Sequence, residues 1–417
     1  MALRASTSRT RCTSREQMLS RWERVAHYLD TPMAPLLVTA VFIAFYVYFR
    51  LAAAGFDPSV FVCAGDKLAN PQMVPKGLHV MSDSWGYDGT QYYRLALDPF
   101  TSKRIDFGIK LDNPAYRQQR ILYPLLAWAL SLGRPELVPS ALVLINWLAL
   151  SILGGIAGAY ARWLGRHALW GLPVPLYPGF ILSLTRDLTE ILEVTLLVAG
   201  LLLVARKKEW AGVACLSLAV LAKETALLAA VGLLLVEAAR ALSSREWRPK
   251  TWALYATPGI VLVAWQALLR ARWGSWAVAG GGHNLGLPLV GVSTFLSRAL
   301  SDAGPRLDIS NVHVQLYHVW FVELGAVALV ALLAATAFGR RPRFCIEKVA
   351  WVLYLGLVIC LTVSVWVEDW AFMRALSEVY VLGILITLRS GRAQRSLATG
   401  SSLATWGFLA AFVLGTS

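Results

Sequence analysis

Charge is scarce in this sequence. Asp, Glu, Lys and Arg make up 15% of its 417 residues, against roughly 25% in soluble domains, so water is not the main solvent of the folded chain. Cysteine is scarce too: Cys12, Cys63, Cys215, Cys345 and Cys360 show no CxxC spacing, and with spans alternating from a cytoplasmic tail only Cys63 lies in an external loop, so neither a disulfide framework nor a zinc site is indicated. No Walker A sequence, dinucleotide-binding fingerprint or HExxH helix is present, which argues against nucleotide-driven pumping within this chain. Residues 1–30 are basic and Ser/Thr-rich and have no apolar h-region of their own, which argues against a cleavable signal peptide and makes the first apolar run an uncleaved anchor.

Hydrophobic length is what the sequence has. It is 57% apolar, with a mean hydropathy of +0.55, and its runs of about 17 to 25 residues match a hydrocarbon core about 30 Å thick. About eleven spans are predicted, at roughly 33–50, 136–160, 168–184, 188–205, 209–222, 224–239, 251–270, 317–338, 348–366, 372–389 and 400–416. The fold class expected is therefore an all-α polytopic membrane protein: a basic cytoplasmic tail over 1–32 and a single transmembrane domain over 33–417. The net charge of +14 follows topology and does not indicate nucleic acid, because the basic residues cluster between apolar runs. Arg4, Arg9, Arg11, Arg15, Arg21 and Arg24 hold the tail in the cytoplasm. Alternating spans then place Arg162 with Arg166, Arg206 to Lys208, Arg240 to Lys250, Arg340 to Lys348 and Arg389 to Arg395 on the same side, and leave 55–118 and 271–316 as large external loops.

Residues 209–239 test that count. As one helix they would measure roughly 46 Å, and a single crossing would put the clusters at 206–208 and 240–250 on opposite sides. A break at Lys223-Glu224 removes the conflict and holds two ionisable groups at the membrane boundary, where they are costly and therefore candidates for a site. Sorted by side, Asp83, Asp88, Asp187, Glu190, Glu224, Glu368 and Asp369 all face outward, so any chemistry belongs there.

The most distinctive segment is Ser82-Asp-Ser-Trp-Gly-Tyr-Asp-Gly-Thr-Gln-Tyr-Tyr-Arg-Leu-Ala-Leu-Asp-Pro99. Asp88-Gly89 is a turn pair, and Tyr92, Tyr93, Arg94 and Leu95 suit a helix at the headgroup level. Ile121 to Leu132 is too short to span; with Arg120 before it and Pro124 in its first turn, it reads as a second interfacial or re-entrant helix.

Tyr-Asp-Gly-x-x-Tyr-Tyr-x-Leu-Ala after a first span resembles the first external loop of the GT-C superfamily of membrane glycosyltransferases, which use polyprenyl- or dolichyl-phosphate sugars. It is also similar to the aromatic-Asp-x-x-x-aromatic-x-x-Ile-Ala pattern of the GPI mannosyltransferase II family and its bacterial relatives. Arg186-Asp-Leu-Thr-Glu190 and Leu221-Ala-Lys-Glu-Thr225 look like segments of uncharacterised bacterial GT-C-like membrane proteins. By pattern the resemblance covers roughly residues 33–240, and beyond that only the topology.

The resemblance implies a GT-C-like bundle and an inverting displacement at an anomeric carbon, with an acceptor hydroxyl attacking as a lipid phosphate leaves. Asp88 is the expected base and Asp83 the second choice, with partial burial raising the basicity of the carboxylate. Lys223 and Arg374, then Arg120, are expected on the phosphate, without an obligatory metal or other cofactor. Tyr87, Glu224, Asp187, Glu190, Glu368 and Asp369 complete the candidate substrate-binding set. The partners implied are membrane lipids, a polyprenyl-phosphate sugar donor and a glycan, lipid or protein acceptor. An Arg- and Ala-rich composition points to a bacterial inner membrane.

Plainer roles fit the same residues. Asp88 also suits a turn before Gly89, and Asp83 an Asx turn. Asp187 with Glu190 suits a helix cap, Lys223 with Glu224 a local pair, and Glu368, Asp369 and Arg374 a structural ion pair. His283, His313 and His318 lack ligand spacing, and Gly280 to Gly282 supplies loop flexibility. Two other functions also remain: a secondary transporter or lipid flippase working through the break at Lys223-Glu224, and an inactive scaffold with a GT-C-like fold.

Overall fold

A computed structural model describes residues 28–303, 312–340, 342, 344–367 and 369–415. The helices run α1 (Met33–Ala53), α2 (Asp88–Leu97), α3 (Pro114–Gln118), α4 (Leu122–Leu130), α5 (Val138–Trp163), α6 (Gly179–Leu184), α7 (Glu190–Ala205), α8 (Glu209–Ala222) and α9 (Leu227–Ser244). They continue as α10 (Pro249–Trp273), α11 (Val290–Ala303), α12 (Val312–Ala337), α13 (Ile346–Ile359), α14 (Val363–Trp366), α15 (Asp369–Ala375), α16 (Ser377–Thr387) and α17 (Arg392–Gly415). Strand among the described residues is confined to β1 (Ala64–Gly65), parallel to β2 (Val80–Met81), and β3 (Ile105–Asp106), antiparallel to β4 (Ile109–Lys110).

This is the architecture of an all-α membrane protein. Among the described residues five helices are long and apolar enough to cross a membrane: Met33–Ala53, Pro135–Trp163, Glu224–Ser244, Pro249–Trp273 and Val319–Ala337. Others are shorter. Helix α7 has 16 residues and α8 and α13 have 14 each, or roughly 21 to 24 Å at 1.5 Å per residue.

The predicted break is present. Helix α8 ends at Ala222, Lys223 is extended (φ −153°, ψ 128°), and a single 3-10 turn, Glu224–Ala226, leads into α9. Three other expected spans are interrupted. Residues 168–184 hold only a 3-10 turn, Ala168–Gly171, and α6; Pro173, Pro175 and Pro178 remove amide donors and prevent a continuous helix. The 348–366 run divides after α13, where Leu361 forms an antiparallel bridge with Leu285. The 372–389 run divides between α15 and α16 at Leu376.

Two packing features position the site. Helices α1 and α5 meet through small residues: a Cβ on Gly154 would lie 2.5 Å from Thr39 Oγ1, and one on Gly158 would lie 2.4 Å from Pro35 Cγ. Such contacts replace the missing hydrophobic drive between helices in lipid. The 55–118 segment is fastened by its own core, in which Val62, Tyr92 and Tyr93 pack with Tyr123, Leu142 and Leu188 of the bundle. Each fully buried large apolar side chain contributes about 1.5 to 3 kcal/mol. Helix α2 is buried at every residue from Gly89 to Leu97. It is thus an internal helix, packed on all sides by protein, and the expectation of a helix lying along the surface is corrected.

Candidate functional site

Asp88 is the first residue of α2, and Gly89 sets its place. A Cβ on Gly89 would lie 2.3 Å from the Arg186 carbonyl oxygen and 2.6 Å from that of Val62. Glycine is there because two backbones touch, and the contact brings Asp88 beside the turn that starts α7. The turn-pair reading of Asp88-Gly89 is therefore replaced by a helix start.

Around Asp88 the chain assembles an ion-pair lattice from four distant segments. Arg117 Nη1 donates to Asp88 Oδ1 at 2.7 Å, and Arg374 Nη2 to Oδ2 at 2.9 Å. Each arginine has a second anchor. Arg117 donates two bonds to Asp112, at 2.8 and 2.7 Å, and Arg374 Nε donates to Glu190 at 2.9 Å. Arg120 makes a forked contact with Glu224 at 2.9 and 2.7 Å and donates to the Tyr116 hydroxyl at 3.1 Å. Lys223 Nζ donates to Glu378 at 3.0 Å and to the Arg374 carbonyl at 3.5 Å, and Thr225 adds a 2.9 Å bond to Glu378. The Tyr87 ring lies beneath the Arg374 and Arg186 guanidiniums, at 5.3 and 5.6 Å.

The lattice has an open side and a floor. Asp112, Asp88 and Glu224 side chains keep 37%, 21% and 21% exposure, whereas those of Glu190 and Glu378 keep 1% and 2%. Lys223 sits with the floor. In these ion pairs four cations, Arg117, Arg120, Lys223 and Arg374, face five carboxylates, Asp88, Asp112, Glu190, Glu224 and Glu378.

Burial works to raise the Asp88 carboxyl, but Arg117, Arg374 and Arg120 together reverse it and hold the group well below the usual carboxylate range. The expectation that burial makes Asp88 more basic is thus corrected: nearby charge outweighs desolvation. Asp112 is also lowered, since the bonds and charge of Arg117 outweigh its burial. Burial opposes the charge of Arg117, and Asp88 and Asp112 more than restore it. Glu224 does the same for Arg120.

Of the residues singled out from sequence, Asp88, Tyr87, Arg120, Glu190, Lys223, Glu224 and Arg374 converge here. Asp83 does not. It is on the surface, its side chain 93% exposed and paired with Lys67 at 2.8 Å. Asp187 is buried outside the lattice in a left-handed conformation (φ 48°), with neither carboxylate oxygen hydrogen-bonded. It does not cap α7, whose capping position is Thr189. Lys223 and Glu224 pair with Glu378 and Arg120 and not with each other. Glu368, the Asp369 side chain and the side chains of His313 and His318 lie outside the described residues. Gly280 is a packing position and not a flexible one, since a Cβ there would meet Asn113 Nδ2 at 2.5 Å. Among the described residues no group of His, Cys, Asp and Glu side chains is arranged to hold a metal ion.

Sequence reasoning missed Arg117, Asp112 and Glu378. Glu378 carried a signal, being an acid inside the apolar 372–389 run; Arg117 and Asp112 read as ordinary solvated loop charges. Three residues beyond Glu224, at Leu227, begins an apolar groove of about 540 Å³ between α9 and α10, lined by Val231, Leu234, Tyr255, Gly259 and Val263 among others. No protein-family model matches the chain, and comparison with curated proteins and with solved structures finds none that is similar.

Proposed function

We propose that this chain is an inverting membrane glycosyltransferase of GT-C-like architecture, with about eleven helices crossing or entering the bilayer. It would move a sugar from a polyprenyl-phosphate donor to an acceptor hydroxyl on the external face of a bacterial inner membrane. The observation that carries this reading is the convergence of Asp88 with Arg117, Arg120 and Arg374, together with an apolar groove that begins at Leu227, three residues beyond the Glu224 that pairs with Arg120. A lipid-linked sugar phosphate has those parts: a reacting centre that needs a base, an anionic bridge and a long apolar chain.

In the reaction, an acceptor oxygen forms a bond to the anomeric carbon from the face opposite the leaving group. The bond from that carbon to the phosphate oxygen breaks, its electron pair staying on that oxygen, and the acceptor proton passes to the Asp88 carboxylate and then to water. The phosphate begins as a monoanionic diester and leaves as a lipid monophosphate with greater negative charge. Guanidiniums that hydrogen-bond its oxygens stabilise the departing group more than the bound donor, which is the requirement for rate acceleration. Arg suits forked phosphate contacts; Lys223, bound to Glu378 in the floor, supports Arg374 through its carbonyl.

The test is transfer from synthetic polyprenyl-phosphate sugars to membrane lipid extracts, read by mass spectrometry, for purified wild type and Asp88→Ala. The expected result is product from wild type and a loss of about 10²- to 10⁴-fold in the variant, the usual contribution of a general base. Equal activity of the two removes Asp88 from the mechanism. A secondary transporter is the second reading, favoured by Glu193, an ionisable side chain fully buried in α7 with neither oxygen hydrogen-bonded, since an acid inside a membrane bundle is costly and marks ion pathways. Silence from wild type with every donor would favour it.

A further inference from the structure

Asp88 is bound as a ligand would be. Its two oxygens each accept one hydrogen bond from a guanidinium, Arg117 at 2.7 Å and Arg374 at 2.9 Å, the first 29 and the second 286 residues away in the chain. Each has an anchor besides Asp88. Asp112 holds Arg117 by two bonds and Glu190 holds Arg374, so the pair of donors would persist if the Asp88 carboxylate swung away. Asp88 is the one carboxylate of the lattice bonded to two guanidiniums by side-chain hydrogen bonds, and its side chain retains 21% exposure at the open side.

From this arrangement we propose that Arg117 and Arg374 form a binding site for a phosphate monoester or diester, and that Asp88 is a built-in competitor for it, displaced when the phosphate binds. Carboxylate and phosphate oxygens present similar acceptors to paired guanidiniums, so one anion replaces the other without rebuilding the site. The inference rests on the transferase reading only for the role of Asp88 after displacement. Once the phosphate holds both arginines, Asp88 loses the contacts that suppress its basicity and is left beside the reacting centre. The base is therefore switched on by the donor, and donor must bind before acceptor is activated.

The experiment measures binding of farnesyl phosphate, inorganic phosphate and farnesol to the full-length protein in detergent. Wild type is compared with Asp88→Asn, Asp112→Asn and Arg117→Gln, with folding of each checked by size exclusion. Asp88→Asn should bind farnesyl phosphate at least about tenfold more tightly than wild type, and Arg117→Gln about tenfold more weakly, the size of one charge-assisted contact. Asp112→Asn removes the same charge but also an anchor of Arg117, and should show no gain. Farnesol binding should be the same in all four proteins. If inorganic phosphate shows the same pattern, the free anion is itself a ligand; if farnesyl phosphate alone does, the ligand is the lipid ester. Either supports the site.

Unchanged or weaker binding by Asp88→Asn overturns the proposal, as does an equal gain from Asp112→Asn, which would reduce the effect to overall charge. Should Asp88→Asn not stay folded, Arg117→Gln decides: undiminished affinity for farnesyl phosphate overturns the site. The two readings fail separately. Tighter binding by Asp88→Asn with no sugar transfer by wild type sinks the transferase and leaves the anion site standing; transfer without the gain does the reverse.

Discussion

At the residue scale the decisive quantity is the balance between burial and neighbouring charge at Asp88. Desolvation alone would make this carboxyl a stronger base, but three arginines overrule it and keep it ionised. Stability is linked to that shift. A carboxyl lowered in the folded protein contributes stability that is fully present above its unfolded pKa, about 3.9, and lost as pH falls through the lower folded value. Asp88 and Asp112 are both shifted this way. The melting temperature in detergent should therefore be insensitive to these groups between about pH 5 and 8 and should fall below about pH 4. Asp88→Asn should flatten part of that acid limb while leaving the neutral plateau free of any new slope. A slope near neutral pH that disappears in Asp88→Asn would mean that the arginines do not dominate its environment.

At the element scale α2 depends on a backbone contact that a methyl group would disrupt. Gly89→Ala puts a carbon 2.3 Å from the Arg186 carbonyl oxygen, and both partners are main chain, so neither can rotate away. Overpacking of this kind costs about 1 to 3 kcal/mol. The variant should melt several degrees lower than wild type and, as the start of α2 moves from the 185–190 turn, lose activity along with Asp88→Ala. Gly77→Ala is the control, because nothing lies within 4 Å of its Cβ position; its positive φ makes a small loss expected there as well. Equal losses in the two would remove the close approach as the cause. Residue 89 also marks where sequence reading stops. Apolar lengths and basic clusters locate α1, α5, α9 and α10 and the break at Lys223, because hydrophobic length and charge are local properties. The burial of α2 is a tertiary fact, and so is the pairing of Arg374 with Asp88 across 286 residues. Acids and arginines near the lattice are visible in the sequence as types, but not which acid holds which arginine. The proline-broken 168–184 segment is misread as one continuous helix because hydropathy averages over Pro173, Pro175 and Pro178 and does not register the missing amide donors.

For the whole molecule the question of orientation reduces to one pair of positions. Helix α8, at 14 residues, and α9, at 18, are joined at an extended Lys223, so the segment either crosses once with a kink or enters and returns. Basic clusters at 206–208 and 240–250 favour the return, since positive loops are retained together in the cytoplasm. Lys76, Lys207 and Arg245 are exposed and report each end. In a background without the native cysteines, Lys76→Cys should react with a membrane-impermeant maleimide in intact cells. Lys207→Cys and Arg245→Cys should both react only after the membrane is opened. If Lys207→Cys and Arg245→Cys label from opposite sides, the break is a kink within one span and every later helix reverses direction. Arg374 and Asp88 meet in the folded chain, so a reversal must be absorbed by the interrupted segments between 271 and 366 and would remove the agreement of the later basic loops with a cytoplasmic side. Labelling from one side keeps that agreement and places the open face of the lattice with Lys76, on the side where the proposed lipid-linked donor and external acceptor would meet.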